Sequence, residues 1–71
     1  MKQDEWTPPE IMTTDDLARY LGVSLRTVRR IISDKEIPAQ KVGRAWKIRK
    51  DLVDVYISGQ DPFKVAEERA H

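Results

Sequence analysis

The chain has 71 residues, 39% hydrophobic and 35% charged, the balance of a small globular module rather than of a disordered segment. That length leaves no room for a dinucleotide-binding α/β unit, a barrel or a cleft between lobes, and folding at this size buries only about 60% of the unfolded surface. No cysteine occurs and the only histidine is His71, so disulfides, thiolate metal sites and histidine clusters are excluded, and neither a metal nor a cofactor is expected.

The formal net charge of +1 conceals a strong segregation. Residues 1–23 carry two cations against five carboxylates and residues 51–71 carry the same, −3 in each case. Residues 24–50 carry nine cations against two carboxylates, a net +7. Such a block draws a polyanion to one face while the flanks keep the chain near neutral. No apolar run approaches the roughly 18 residues that span a bilayer, and the opening MKQDEW lacks the apolar stretch of a secretion signal. A cytoplasmic, nucleoid-associated protein without a membrane partner is expected.

In chain order, residues 1–11 with Pro8-Pro9 predict a flexible, extended arm. Helical signals then begin. Thr13 fits an N-cap with Asp16 in the reciprocal position of a capping box, and Met12 and Leu17 sit where a hydrophobic staple closes. A first helix over Thr14 to Leu21 is predicted, with Leu17, Ala18, Tyr20 and Leu21 on its apolar side and Gly22 as its stop. Ser24 caps a second helix over Leu25 to Asp34. At about 100° per residue, Leu25, Val28, Ile31 and Ile32 form one buried face, while Arg26, Arg30 and Ser33 fall opposite and Thr27 and Arg29 flank them. Two short helices joined by Gly22-Val23-Ser24 make a tight helix–turn–helix.

Ile37-Pro38 ends the helical pattern and a period of two follows. Gln40, Val42, Trp46 and Ile48 share one parity and are expected to face the core, with Lys41, Lys47 and Arg49 toward solvent. That parity fits a hairpin with a three-residue tip, Gly43-Arg44-Ala45; a two-residue Gly43-Arg44 turn is the alternative. Trp46, Tyr20 and Tyr56 are best explained as packing aromatics rather than base-stacking platforms. A last core helix over Lys50 to Ser58 carries Leu52, Val55 and Tyr56, with Gly59 as its stop, and Asp61-Pro62 opens a short frayed helix over Phe63 to Ala70. The expected architecture is mainly α with a small two-stranded hairpin. Residues 12–58 form the domain and residues 59–71 a C-terminal tail.

Catalytic templates find no support. Asp15/Asp16 and Glu67/Glu68 are sequence neighbours that diverge by about 100° on a helix, and Gly22, Gly43 and Gly59 stand singly, so no phosphate-cradling loop exists. The second helix is the informative element. Ser24 caps it, but Thr27 stands where a capping box would place a glutamate, leaving the positive helix end open to a backbone phosphate. Arg26 and Arg30 can address guanine N7 and O6 in bidentate fashion, and Arg26, Thr27, Arg30 and Ser33 are the base-reading candidates. Phosphate-contacting candidates are Thr14, Ser24 and Arg29, with Lys41, Gly43, Arg44 and Lys47 on the hairpin. A neutral alternative is that these cations are an ordinary solvated surface; no aromatic ladder for unpaired RNA bases is present.

The pieces TTDDLARYLGVS, SLRTVRRII and IPAQKVGRAWKIRKDLV, in this order within residues 12–57, resemble the small winged helix–turn–helix of the excisionase-type DNA-binding domains, relatives of the MerR DNA-binding domain. The resemblance implies sequence-specific duplex binding, with the helix over residues 25–34 in the major groove and the wing over residues 40–48 on the backbone or minor groove. It carries Ser24, Arg26, Thr27, Arg29 and Arg30 over as recognition-helix contacts and Gly43, Arg44 and Lys47 as the wing. Members, mainly bacterial and phage proteins, act in excision, often bending DNA, or as small transcriptional regulators. The implied partners are double-stranded DNA and either an integrase or recombinase or a second copy on an adjacent site. MerR regulators continue into a long dimerising helix and an effector domain, whereas about a dozen residues follow the last core helix here, so no small-molecule effector is expected. A protein-interaction adaptor that uses the acidic flanks and the tail is the competing expectation.

Overall fold

The computed structural model describes residues 6–70; His71 and the arm residues Lys2, Asp4 and Glu5 lie outside them. Its elements are β1 (Ile11–Met12), α1 (Thr14–Leu21), α2 (Leu25–Ser33), β2 (Gln40–Val42), β3 (Ala45–Arg49), α3 (Lys50–Ile57) and α4 (Pro62–Arg69).

Local signals set the first two helices. The backbone N–H of Asp16 donates to Thr13 Oγ1 at 3.1 Å and the N–H of Thr13 donates to Asp16 Oδ2 at 3.0 Å, a complete capping box that stabilises α1 by about 1 kcal/mol. Met12 and Leu17, the staple pair, are both fully buried. Gly22 takes the left-handed conformation at φ 72°, and its N–H closes on Ala18 C=O at 2.8 Å, so α2 starts after only two further residues. α2 ends at Ser33 with Asp34 as its C-cap. Its last carbonyls are closed by Lys35 N–H to Ile32 C=O at 3.1 Å and Glu36 N–H to Ile31 C=O at 3.0 Å. These two bonds are a Schellman closure, which requires a left-handed residue in its middle. Lys35 fills that place at φ 58°.

The hairpin differs from the sequence expectation. Val42 pairs with Ala45, Lys41 with Trp46 and Gln40 with Lys47, so the tip is the two-residue turn Gly43-Arg44. Directly paired residues share a face, so removing one residue from the tip reverses β2. Gln40 and Val42 therefore lie on the outer face, where Val42 is 58% exposed, and Lys41 lies on the face of Trp46. The expected burial of Val42 and Gln40, and the shared outward face of Lys41 and Lys47, are corrected by this register. A third strand joins them. β1 pairs antiparallel with β3, Ile11 opposite Arg49 and Met12 opposite Ile48, in the order β1-β3-β2.

The core gathers Met12, Leu17, Val28, Ile31, Ile37, Ile48 and Val53, with Tyr20, Ile32, Trp46 and Tyr56 packed half-buried around it. Val53 takes a central place that the spacing assigns to Val55, which is only half-buried. α3 is tied to α1 by Tyr20 Oη, which donates to Asp54, and Lys50 Nζ reaches the same carboxylate at 3.0 Å. α4 is held on α3: Pro62 is buried and Arg69 pairs with Asp51 at 2.7 Å. No helix among the described residues is long and apolar enough to cross a membrane.

Candidate nucleic-acid interface

α2 separates its chemistry by face. Val28 and Ile31 are buried, whereas Arg26, Arg29, Arg30 and Ser33 are exposed and Thr27 is half-buried. Ser24 Oγ accepts from the Thr27 N–H at 3.2 Å, and its own hydroxyl donates to Thr27 Oγ1 at 3.2 Å. The first turn holds no acidic residue, so nothing in the helix itself neutralises the partial positive charge at its start. Thr14, the first residue of α1, is half-buried at the start of the neighbouring helix.

The candidate side chains fall into connected groups. Arg26, Thr27 and Arg30 line one open depression of about 330 Å³. Arg29 and Ser33 line a second, of about 390 Å³, together with Ile32, Lys35 and Trp46. Trp46 belongs to β3, so this second depression joins α2 to the hairpin. Lys41 continues the surface, its Nζ 5.6 Å from the Trp46 ring centroid, and Gly43 and Arg44 stand exposed at the tip beyond. Lys47 is placed apart. It is half-buried on the opposite face of the hairpin, in a shallow depression shared with Gln40, Arg49, Leu52 and Ala66.

Ion pairing divides the central cations. Arg49 pairs with Asp51 at 2.9 Å and Lys50 with Asp54 at 3.0 Å, which uses two of the nine for holding α3. Arg26, Arg29, Arg30, Lys35, Lys41, Arg44 and Lys47 make no ion pair among the described residues. Among the described residues, then, no carboxylate neutralises these seven guanidinium and ammonium groups. Lys35 is the member that helical periodicity does not single out. It lies two residues beyond the last helical residue, and only the folded turn carries it to the seam between α2 and Trp46.

A buried helix face with cations on its reverse, a three-residue turn before it and a hairpin beside it define a winged helix–turn–helix, a class of DNA-binding domain. The chain belongs to the excisionase-like helix–turn–helix family: the family model described as a helix-turn-helix domain matches residues 11–61. That match runs from the first residue of β1 to the N-cap of α4. No curated protein and no solved structure matches the chain. Double-stranded DNA is the partner that this family membership supports, and the family is one of DNA-binding rather than catalytic domains.

Proposed function

We propose that the chain is a sequence-specific duplex-binding protein, acting as an excisionase-type recombination directionality factor or a small transcriptional regulator. The observation that carries this is the sorting of charge on α2 and the hairpin: seven central cations without a carboxylate partner among the described residues, six of them on these two elements. In this reading α2 enters the major groove. Arg26, Thr27, Arg30 and Ser33 face base edges, and Arg26 and Arg30 offer the bidentate donor pairs that guanine accepts. Ser24, Thr14 and Arg29 meet phosphates beside the groove. The wing follows the backbone or the adjacent minor groove through Lys41, Gly43 and Arg44, with Lys47 contributing from its other face. So few contacts from one copy favour assembly on adjacent sites, either with a second copy or with an integrase; in this reading the DNA acted on is cytoplasmic and nucleoid-associated.

Selection of bound sequences from random duplex, followed by fluorescence titration on the enriched site, tests this. A defined motif is expected, with log K falling steeply against log salt by about 0.9 for each phosphate neutralised. Absence of an enriched motif, or binding that is flat in salt, overturns the proposal.

An adaptor role is favoured by a different observation. Ile57 is 56% and Phe63 40% exposed around the α3–α4 junction, and Glu67 and Glu68 are exposed on α4. Because α4 is packed and ion-paired to α3, removing residues 60–71 would also disturb the domain. Charge reversal at Glu67 and Glu68 is the cleaner test: an adaptor loses its protein partner and keeps its DNA affinity.

A further inference from the structure

Lys35 has a backbone that its side chain makes costly. Four described residues have positive φ, and three of them are Gly22, Gly43 and Gly59. The fourth is Lys35, at φ 58°. The closure of α2 demands a left-handed residue at this position whatever its side chain, since Lys35 N–H bonds Ile32 C=O and Glu36 N–H bonds Ile31 C=O around it. Glycine meets that demand without steric cost, and a side chain kept there against the strain points to a use for the side chain.

Its position indicates the use. Lys35 lines the depression that holds Arg29, Ser33 and Trp46, and also the adjoining one formed by Ile37, Ala39, Trp46 and Phe63. It therefore stands where the C-terminal end of α2 meets the wing, sharing a depression with Arg29 and with Trp46, whose ring Lys41 also approaches. It is exposed, and it makes no ion pair among the described residues although Asp34 and Glu36 flank it in sequence. Glu36 is engaged elsewhere, accepting the Tyr56 hydroxyl at 2.7 Å. A favourable interaction with the C-terminal end of the helix dipole would also suit a lysine, but that benefit is stabilising and independent of DNA.

We propose that Lys35 is a further DNA-binding residue, its left-handed backbone carrying the ammonium to a phosphate between the recognition helix and the wing. The assignment rests on the reading of α2 and the wing as the DNA face. An ammonium is a compact point charge without a planar fork, which suits a phosphate rather than a base edge. Lys35 adds affinity without sequence preference.

Three variants of the intact chain separate strain from contact, each followed by thermal unfolding and by anisotropy titration on the selected site and on a scrambled duplex. Lys35→Gly is expected to melt several degrees higher and to bind both duplexes about fivefold more weakly at 0.15 M salt, with a salt slope smaller by about 0.9. Lys35→Gln loses the same binding without the gain in melting temperature, and Lys35→Arg keeps the binding. A Lys35→Gly chain that binds both duplexes undiminished, while the unaltered chain binds with a steep salt slope, overturns the Lys35 assignment alone. Lys35→Gly melting no higher overturns the claim of strain. An unaltered chain that shows no salt-dependent duplex binding overturns the DNA-face reading as well.

Discussion

The Tyr56 hydroxyl donates to Glu36 Oε1 at 2.7 Å, joining α3 to the turn that follows α2. The positive charge of Arg30 acts on this hydroxyl in the sense opposite to Glu36, lowering it. Glu36 is one of only two carboxylates within residues 24–50, and its bond to Tyr56 gives it a partner other than the cations of α2. Tyr56→Phe removes that partner. The exposed bond contributes about 0.5 kcal/mol to stability, the low end for a hydrogen bond. Glu36, once released, competes with DNA for Arg30 with the strength of an exposed ion pair, so duplex affinity falls by up to about fivefold. Adding Glu36→Gln to Tyr56→Phe restores the affinity but not the stability. Titrating the single and double variants on one duplex checks this, and a double variant as weak as the single one counts against it.

The same hydroxyl contributes to a pH dependence. The carboxylate of Glu36 holds Tyr56 above its ordinary value near 10, and Asp54 does the same for Tyr20 through its hydrogen bond. Asp54 also raises Lys50 by accepting its hydrogen bond, and is itself held below its ordinary value by the bonds from Tyr20 and then Lys50. For groups raised in the folded state, stability is fully present below the unfolded value and is lost as pH rises through the folded one. For Asp54 the contribution is present above its unfolded value and is lost as pH falls through the lowered one. A plateau is expected between about pH 4 and pH 10, with loss on either side. Urea midpoints measured across pH should show a shallower alkaline limb in a Tyr20→Phe, Tyr56→Phe double variant. An unchanged limb would show that neither hydroxyl is linked to folding.

What could be read from the sequence was local, and what could not was set by pairing across the fold. The Thr13–Asp16 box, the Met12–Leu17 staple and the two faces of α2 follow from residues at most seven apart, and each is realised in the structure. The strand face of Val42 depended on whether Ala45 belonged to the tip, and only its pairing with Val42 decided that. β1 is two residues long, too short for any periodicity, and exists because β3 offers Ile48 and Arg49 an open edge to pair with. The seam that brings Lys35 to Trp46 joins residues on different elements, and neither alternation nor helical period marks it.

Arg30 and Lys41 are expected to fail in different ways. Arg30→Ala removes a candidate base contact and costs about 1–3 kcal/mol on the selected site, with little change on scrambled duplex. Lys41→Ala weakens both duplexes alike and reduces the salt slope by about 0.9. Lys47 lies across the hairpin from Lys41, so Lys47→Ala should lose less on either duplex than Lys41→Ala does. Equal losses for the two lysines would mean that the wing approaches DNA edge-on rather than by the face of Trp46.

The wing also depends on one backbone conformation. Gly43 has φ 65° at the first central position of the two-residue turn, and Arg44 is not among the residues with positive φ. That pattern fits a type II′ turn, whose twist matches the strands it joins. A Cβ at Gly43 would meet no atom within 4 Å, so the cost of a side chain there is conformational and not steric crowding. Gly43→Ala should therefore destabilise by about 1 kcal/mol. It should also loosen Val42, Arg44 and Ala45 while leaving the helices of the core folded. Amide hydrogen exchange would show faster exchange across β2 and β3 with unchanged protection in α1 and α2. Duplex affinity should fall with the salt slope reduced, because Lys41 and Arg44 lose their fixed positions. If exchange in the hairpin stays slow, the turn tolerates a side chain and the positive φ at Gly43 is not what holds the wing in register.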